Sequence, residues 1–189
     1  MEFLKKYSYI TMKLFLNQFA IALFGVALAF TAGRAESNKL LLTSSIFAVI
    51  FYLFLQYAVI WEVGAKDGIS ATARKTDRKL WRGLVIAVLA NAVNVLLALI
   101  IMAQMLFGQN VVSALAQAIA VLLQGMYQGI MAQTVGGVQL HALPWMFLII
   151  TLPSILVISV GYIIGSYNLH ATNILIPKNK DVKNNGRPK

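Results

Sequence analysis

The chain has 189 residues, is 59% hydrophobic and only 12% charged, and carries a formal net charge of +10. Soluble domains are about 45–50% apolar and about 25% charged, so this composition, with a mean hydropathy of +0.75, points away from a water-soluble globule. With no cysteine, disulfides, thiolate catalysis and Cys-ligated metal are excluded.

Charge is segregated. From Gly83 to Pro177, 95 consecutive residues contain no Lys, Arg, Asp or Glu. Fourteen of the sixteen Lys and Arg residues fall in three clusters: Lys5, Lys6 and Lys13; Lys66, Arg74, Lys75, Arg78, Lys79 and Arg82; and Lys178, Lys180, Lys183, Arg187 and Lys189. Because these clusters flank apolar runs, they suit membrane orientation and anionic lipid headgroups, and no nucleic-acid partner is expected.

The first apolar run, Leu14 to Gly33, lies between Lys13 and Arg34 and has the length of a transmembrane helix. Ala27-Leu28-Ala29 resembles a signal-peptide cleavage site, but a core of about twenty apolar residues exceeds the usual 7–15, so the segment is expected to be retained. A second span runs from Leu40 to Trp61. At its edge, Glu62 and Lys66 are spaced i, i+4 and are expected to form an interfacial ion pair; a gate or substrate carboxylate is the alternative for Glu62.

In the 62–82 loop, Gly64 and Gly68 read as a turn. From about Ser70, Arg74, Arg78 and Arg82 recur at helical spacing and, with Lys75 and Lys79, form a candidate contact for lipid or a partner. The third span, Gly83 to Phe107, carries Ala87, Asn91, Asn94 and Ala98 on one stripe. That stripe fits close helix packing bonded by amides or a polar lining for a solute path, with Asn17, Gln18 and Gln56 as candidates to face it.

Val111 to Gln133 is also free of charge. Ser113, Gln117, Gln124 and Gln128 fall within about 60° on a helical wheel, which predicts an amphipathic helix in the outer interface or a re-entrant element. Gly125 and Gly129 would let it pack closely on another helix. His141 follows in an outer loop with no carboxylate beside it in sequence, so no metal site is expected. The fourth span, Pro144 to Tyr167, has Pro153 as an expected kink and Gly161 and Gly165 as a close-crossing pair.

Four spans place the amino terminus, the 62–82 loop and the basic tail on one side, leaving Arg34 and Lys39 opposite. A fifth span at 111–133 would send the tail outward against the positive-inside rule. Trp61 and Trp81 then fall at the inner interface and Trp145 at the outer one. The expected fold class is an all-α integral membrane domain over residues 1–177, with four transmembrane helices, an outer amphipathic or re-entrant helix and a disordered cytoplasmic tail at 178–189.

The Trp61-x-x-Gly64-x-Lys66-Asp67 run, the basic stretch after it, Gly83 with Asn91 and Asn94, and Pro153 with Gly161-Tyr162-x-x-Gly165 resemble a family of small multi-span membrane proteins of Gram-positive bacteria. The resemblance implies a bacterial cytoplasmic membrane and brings no activity with it. No His, carboxylate or activated hydroxyl is grouped as acid–base or nucleophilic catalysis requires. The expectation is a non-enzymatic membrane subunit or accessory factor without a cofactor, partnered by the bilayer and by another membrane protein or its own copies. A small-solute transporter or channel component working as an oligomer is the alternative.

Overall fold

The computed structural model describes residues 2–168. The expected tail at 178–189, His170 and the end of the domain up to residue 177 lie outside the described residues. Two long helices open the chain, α1 (Glu2–Arg34) and α2 (Asn38–Ala73), of 33 and 36 residues. Neither contains proline, and their Leu, Ile, Phe and Ala runs leave little to interrupt a helix. A tight connection joins them, with Glu36 at φ 48° and the Ser37 hydroxyl capping α2 through the Leu40 N–H.

Beyond Trp61, α2 continues for twelve more residues, so most of the expected 62–82 loop is helix. Gly64 and Gly68 lie inside α2 and do not turn the chain. The turn comes later: α2 ends at Ala73, Lys75 takes φ 51°, and α3 (Trp81–Ala90) begins only at Trp81. The expected helical basic face over 70–82 is therefore interrupted.

The third span is broken as well. After Ala90 the chain leaves helical geometry at Asn91 and resumes as α4 (Ala92–Phe107), bent by 63°. The Asn91 amide donates to the Ala87 carbonyl at 2.9 Å, and a side chain that bonds back one turn competes with the backbone ladder. A reversal at Gly108 (φ 76°) leads to α5 (Val111–Leu123), opened by a reciprocal cap between Asn110 and Ser113.

The helix expected over 111–133 is not continuous. It stops at Gln124, makes a 3₁₀ turn through Gly125–Tyr127, and restarts as the four-residue α6 (Gln128–Met131), an 82° bend. Its polar side also faces inward, with Ser113 and Gln124 buried while Leu115, Ile119 and Leu122 are exposed. A short ribbon of β1 (Thr134–Val135) and β2 (Val138–Gln139) follows, turned through Gly136 and Gly137 at positive φ. One turn of helix, α7 (Met146–Ile149), precedes α8 (Leu152–Ser166), where Pro153 occupies the first turn and starts the helix rather than kinking it.

The fold is thus almost entirely helical. Lys5–Arg34, Asn38–Ala73 and Met146–Ser166 are long and apolar enough to cross a membrane, and counting each bent pair as one crossing gives up to five. α2 and α8 form the main seam. A Cβ on Gly64 or Gly68 would strike the backbone of Tyr162 or Ser166, and one on Gly165 would strike the Trp61 carbonyl. Gly161 lies against Ile60 and Tyr57. Elsewhere, Gly125 rests on Ala22 and Val26 of α1, and Gly129 rests on Leu41 and Ser45 of α2. One apolar cluster (Leu14, Ile60, Ile86, Ile158, Tyr162) ties α1, α2, α3 and α8, and a second (Ile21, Tyr52, Ile101, Ala120, Phe147) includes α4, α5 and α7.

Candidate functional site

Two polar centres stand out, one at the basic end of the bundle and one buried at its middle. At the basic end, Glu62 and Lys66 are both exposed on α2, and no ion pair joins them. The expected pair is replaced by one centred on Asp67. With α2 still helical at this point, Gly64 and Gly68 face α8, and Asp67 points inward from the same turn.

Lys6 Nζ lies 2.7 Å from Asp67 Oδ1, while the Tyr7 and Tyr162 hydroxyls donate to Oδ2 at 2.5 and 2.8 Å. Arg82 Nη1 sits 3.9 Å from Oδ2 and donates to the Tyr7 oxygen at 3.0 Å. One carboxylate therefore gathers α1, α2, α3 and α8. The Asp67 side chain is only 12% exposed, and hydrogen bonds from Lys6, Tyr7 and Tyr162 satisfy its two oxygens. The sequence reading missed this cluster. Its available signal was an acidic residue next to a helical glycine pair, six residues past the end of an apolar run.

Beside the clamp is a cavity of about 230 Å³ lined by Lys6, Arg74, Arg78, Lys79 and Arg82, with Asp67 and Asp77 as its acidic members. Four of the five expected contact residues thus converge through the 74–80 turn, and Lys75 is outside the lining. Arg78 stacks over the Tyr167 ring at 4.6 Å. With Asp67 already engaged by Lys6 and Arg82, the cavity keeps a surplus of positive charge that suits an anion.

The buried centre forms where helices are interrupted. Ala87, Asn91, Asn94 and Ala98 all face inward across the α3–α4 break. Asn91 donates to Ser154 at 3.2 Å, and the Tyr52 hydroxyl donates to the same Ser154 oxygen at 2.8 Å. Gln124, at the second break, donates to Thr151 at 3.2 Å. Gln18 of α1 reaches the Leu123 carbonyl at 3.4 Å, and Gln56 donates to the Leu14 carbonyl at 3.0 Å.

The other two residues of the expected stripe lie outside this centre. Gln117 donates to the His141 carbonyl and Gln128 to the Val121 carbonyl, each at 3.2 Å. Gln128, with Gln124, borders a separate and mainly apolar hollow of about 320 Å³ near His141. Among the described residues, no group of three or more His, Asp or Glu side chains comes together. No protein-family model, curated protein or solved structure matches the chain.

Proposed function

We propose that this chain is an integral protein of a bacterial cytoplasmic membrane, acting without catalysis as a subunit or accessory factor whose basic inner end engages anionic groups. One observation carries the reading: the polarity of the fold is inverted. Gln18, Gln56, Asn91, Asn94 and Ser154 are buried, whereas Phe47, Phe54, Leu106 and Leu156 are more than half exposed. In water such a surface would aggregate, and in lipid it is the ordinary outer face.

Four crossings with both termini inside follow from the charge asymmetry. The resemblance to small Gram-positive membrane proteins supports the same location. Asp67 lies six residues past Trp61, or about 9 Å along the helix. That distance beyond the apolar run supports contact of the surrounding cations with lipid phosphates, where each contributes on the order of 1 kcal/mol. Extraction in mild detergent followed by mass measurement tests the role. A stable complex with a second membrane protein is expected, and a solitary monomer overturns the subunit reading.

The interrupted helices meeting at buried amides favour a second reading, a small-solute path, because transporters build midplane sites from broken helices. It requires flux in liposomes that Asn91→Leu with Asn94→Leu abolishes. Flux unaffected by that double change assigns the stripe to packing alone.

A further inference from the structure

Four of the residues around the buried centre have polar atoms without a hydrogen-bond partner among the described groups: Asn91 Oδ1, Asn94 Oδ1, Gln124 Oε1 and Tyr127 Oη. Their residues are 2%, 2%, 4% and 4% exposed. All four line one small cavity of about 10 Å³, together with Gln18, Tyr52, Thr151 and Ser154. A space of that size holds a single particle no larger than a water molecule.

Two of the three amide orientations, those of Asn91 and Gln124, are fixed by their other bonds. Asn91 Nδ2 donates to the Ala87 carbonyl, so exchanging its oxygen and nitrogen would set oxygen against oxygen. Thr151 Oγ1 donates to the Phe147 carbonyl and must accept from Gln124 Nε2. The free atoms of Asn91 and Gln124 are therefore oxygens. We propose that this cavity is a binding site for one dehydrated monovalent cation, held by neutral oxygens.

Each buried acceptor left unpaired is costly, and a water molecule that accepts from the Tyr127 hydroxyl can donate to only two of the three amide oxygens. A spherical cation serves all of them at once, as carbonyl rings do in ion filters. Helix dipoles do not decide the matter, since α3 and α5 end at the site while α4 and α8 begin there. A divalent ion is disfavoured because no carboxylate lines the cavity. The inference holds whether the protein conducts solute or serves as a scaffold.

The test uses the full chain purified in neutral detergent and melted in sodium, potassium, ammonium or choline chloride at matched ionic strength. Radioactive sodium in equilibrium dialysis measures stoichiometry where sodium is the stabilising ion. The expected result is a saturable rise in Tm with a small cation and none with choline. Tyr127→Phe removes one oxygen with little change in shape and should raise the half-saturating concentration about tenfold. Asn94→Asp should lower it, by adding charge against the ion.

Melting that is identical in every salt, choline included, overturns the site. So does a saturable effect that both variants leave unchanged, which would place the ion elsewhere. If Asn94→Asp does not fold, wild type and Tyr127→Phe decide the question alone.

Discussion

The α2–α8 seam makes a prediction whose sign reverses between two kinds of glycine. Gly33 lies in α1 with nothing within 4 Å of where a Cβ would stand. Gly33→Ala should therefore stabilise the protein by about 0.5–1 kcal/mol, through reduced backbone entropy in the unfolded chain. Gly68 and Gly165 gain the same entropy term, but each new methyl would overlap a backbone carbonyl, of Ser166 and Trp61 respectively. A carbonyl cannot rotate out of the way as a side-chain tip can, so the helices must separate. Overpacking costs about 1–3 kcal/mol, which leaves a net loss of up to about 2.5 kcal/mol for each change once the entropy gain is subtracted. The double variant should lose less than the sum, because one separation accommodates both methyls. Unfolding by SDS titration in mixed micelles, followed by far-ultraviolet circular dichroism, measures all four proteins. If Gly68→Ala and Gly165→Ala stabilise as much as Gly33→Ala, the close approach of α2 and α8 is wrong.

Asp67→Asn keeps the volume but removes the charge that Tyr7 and Tyr162 donate to; it should cost about 1–3 kcal/mol in the same titration. Lys6→Met should change stability by less than about 1 kcal/mol, since the Lys6 side chain is 55% exposed. A topology reporter fused after Lys189 should read inside, and an outside signal would defeat the four-crossing arrangement. Replacing Arg74, Arg78 and Lys79 with Ala should weaken retention of anionic lipid during purification, measured as co-purifying phospholipid per protein, with zwitterionic lipid unaffected.

The apolar runs made the long helices legible, because a twenty-residue stretch without charge has few folded alternatives. The details that were missed depend on distant partners. Gly64 and Gly68 have the same spacing whether they turn a loop or line a helix crossing, and only Gly161 and Gly165, about a hundred residues later in the sequence, decide between the two. Once α2 continues through them, its phase puts Asp67 inside and Glu62 with Lys66 outside, which accounts for the misassigned ion pair. The stripe from Ala87 to Ala98 was readable as a shared face, but the break within it was not. A single asparagine in an apolar run is compatible with an unbroken helix, and the bond from Asn91 to Ser154 is made by an element 63 residues away. The 111–133 wheel grouped its glutamines on one polar side by assuming one axis, but the chain bends by 82°, and Gln117 and Gln128 bond away from the buried centre.

The clamp at Asp67 also has a history in time. Lys6 and Tyr7 precede it in the chain, but Tyr162 follows it by 95 residues. At about 5–20 residues per second, a ribosome needs roughly 5–20 s after making Asp67 to supply that last hydroxyl. Throughout that interval α2 holds an incompletely bonded carboxylate and an uncovered pair of glycines, both waiting for the final helix. A chain interrupted before α8 leaves that edge open, with Asp67 short of the Tyr162 hydroxyl and Gly64 and Gly68 uncovered.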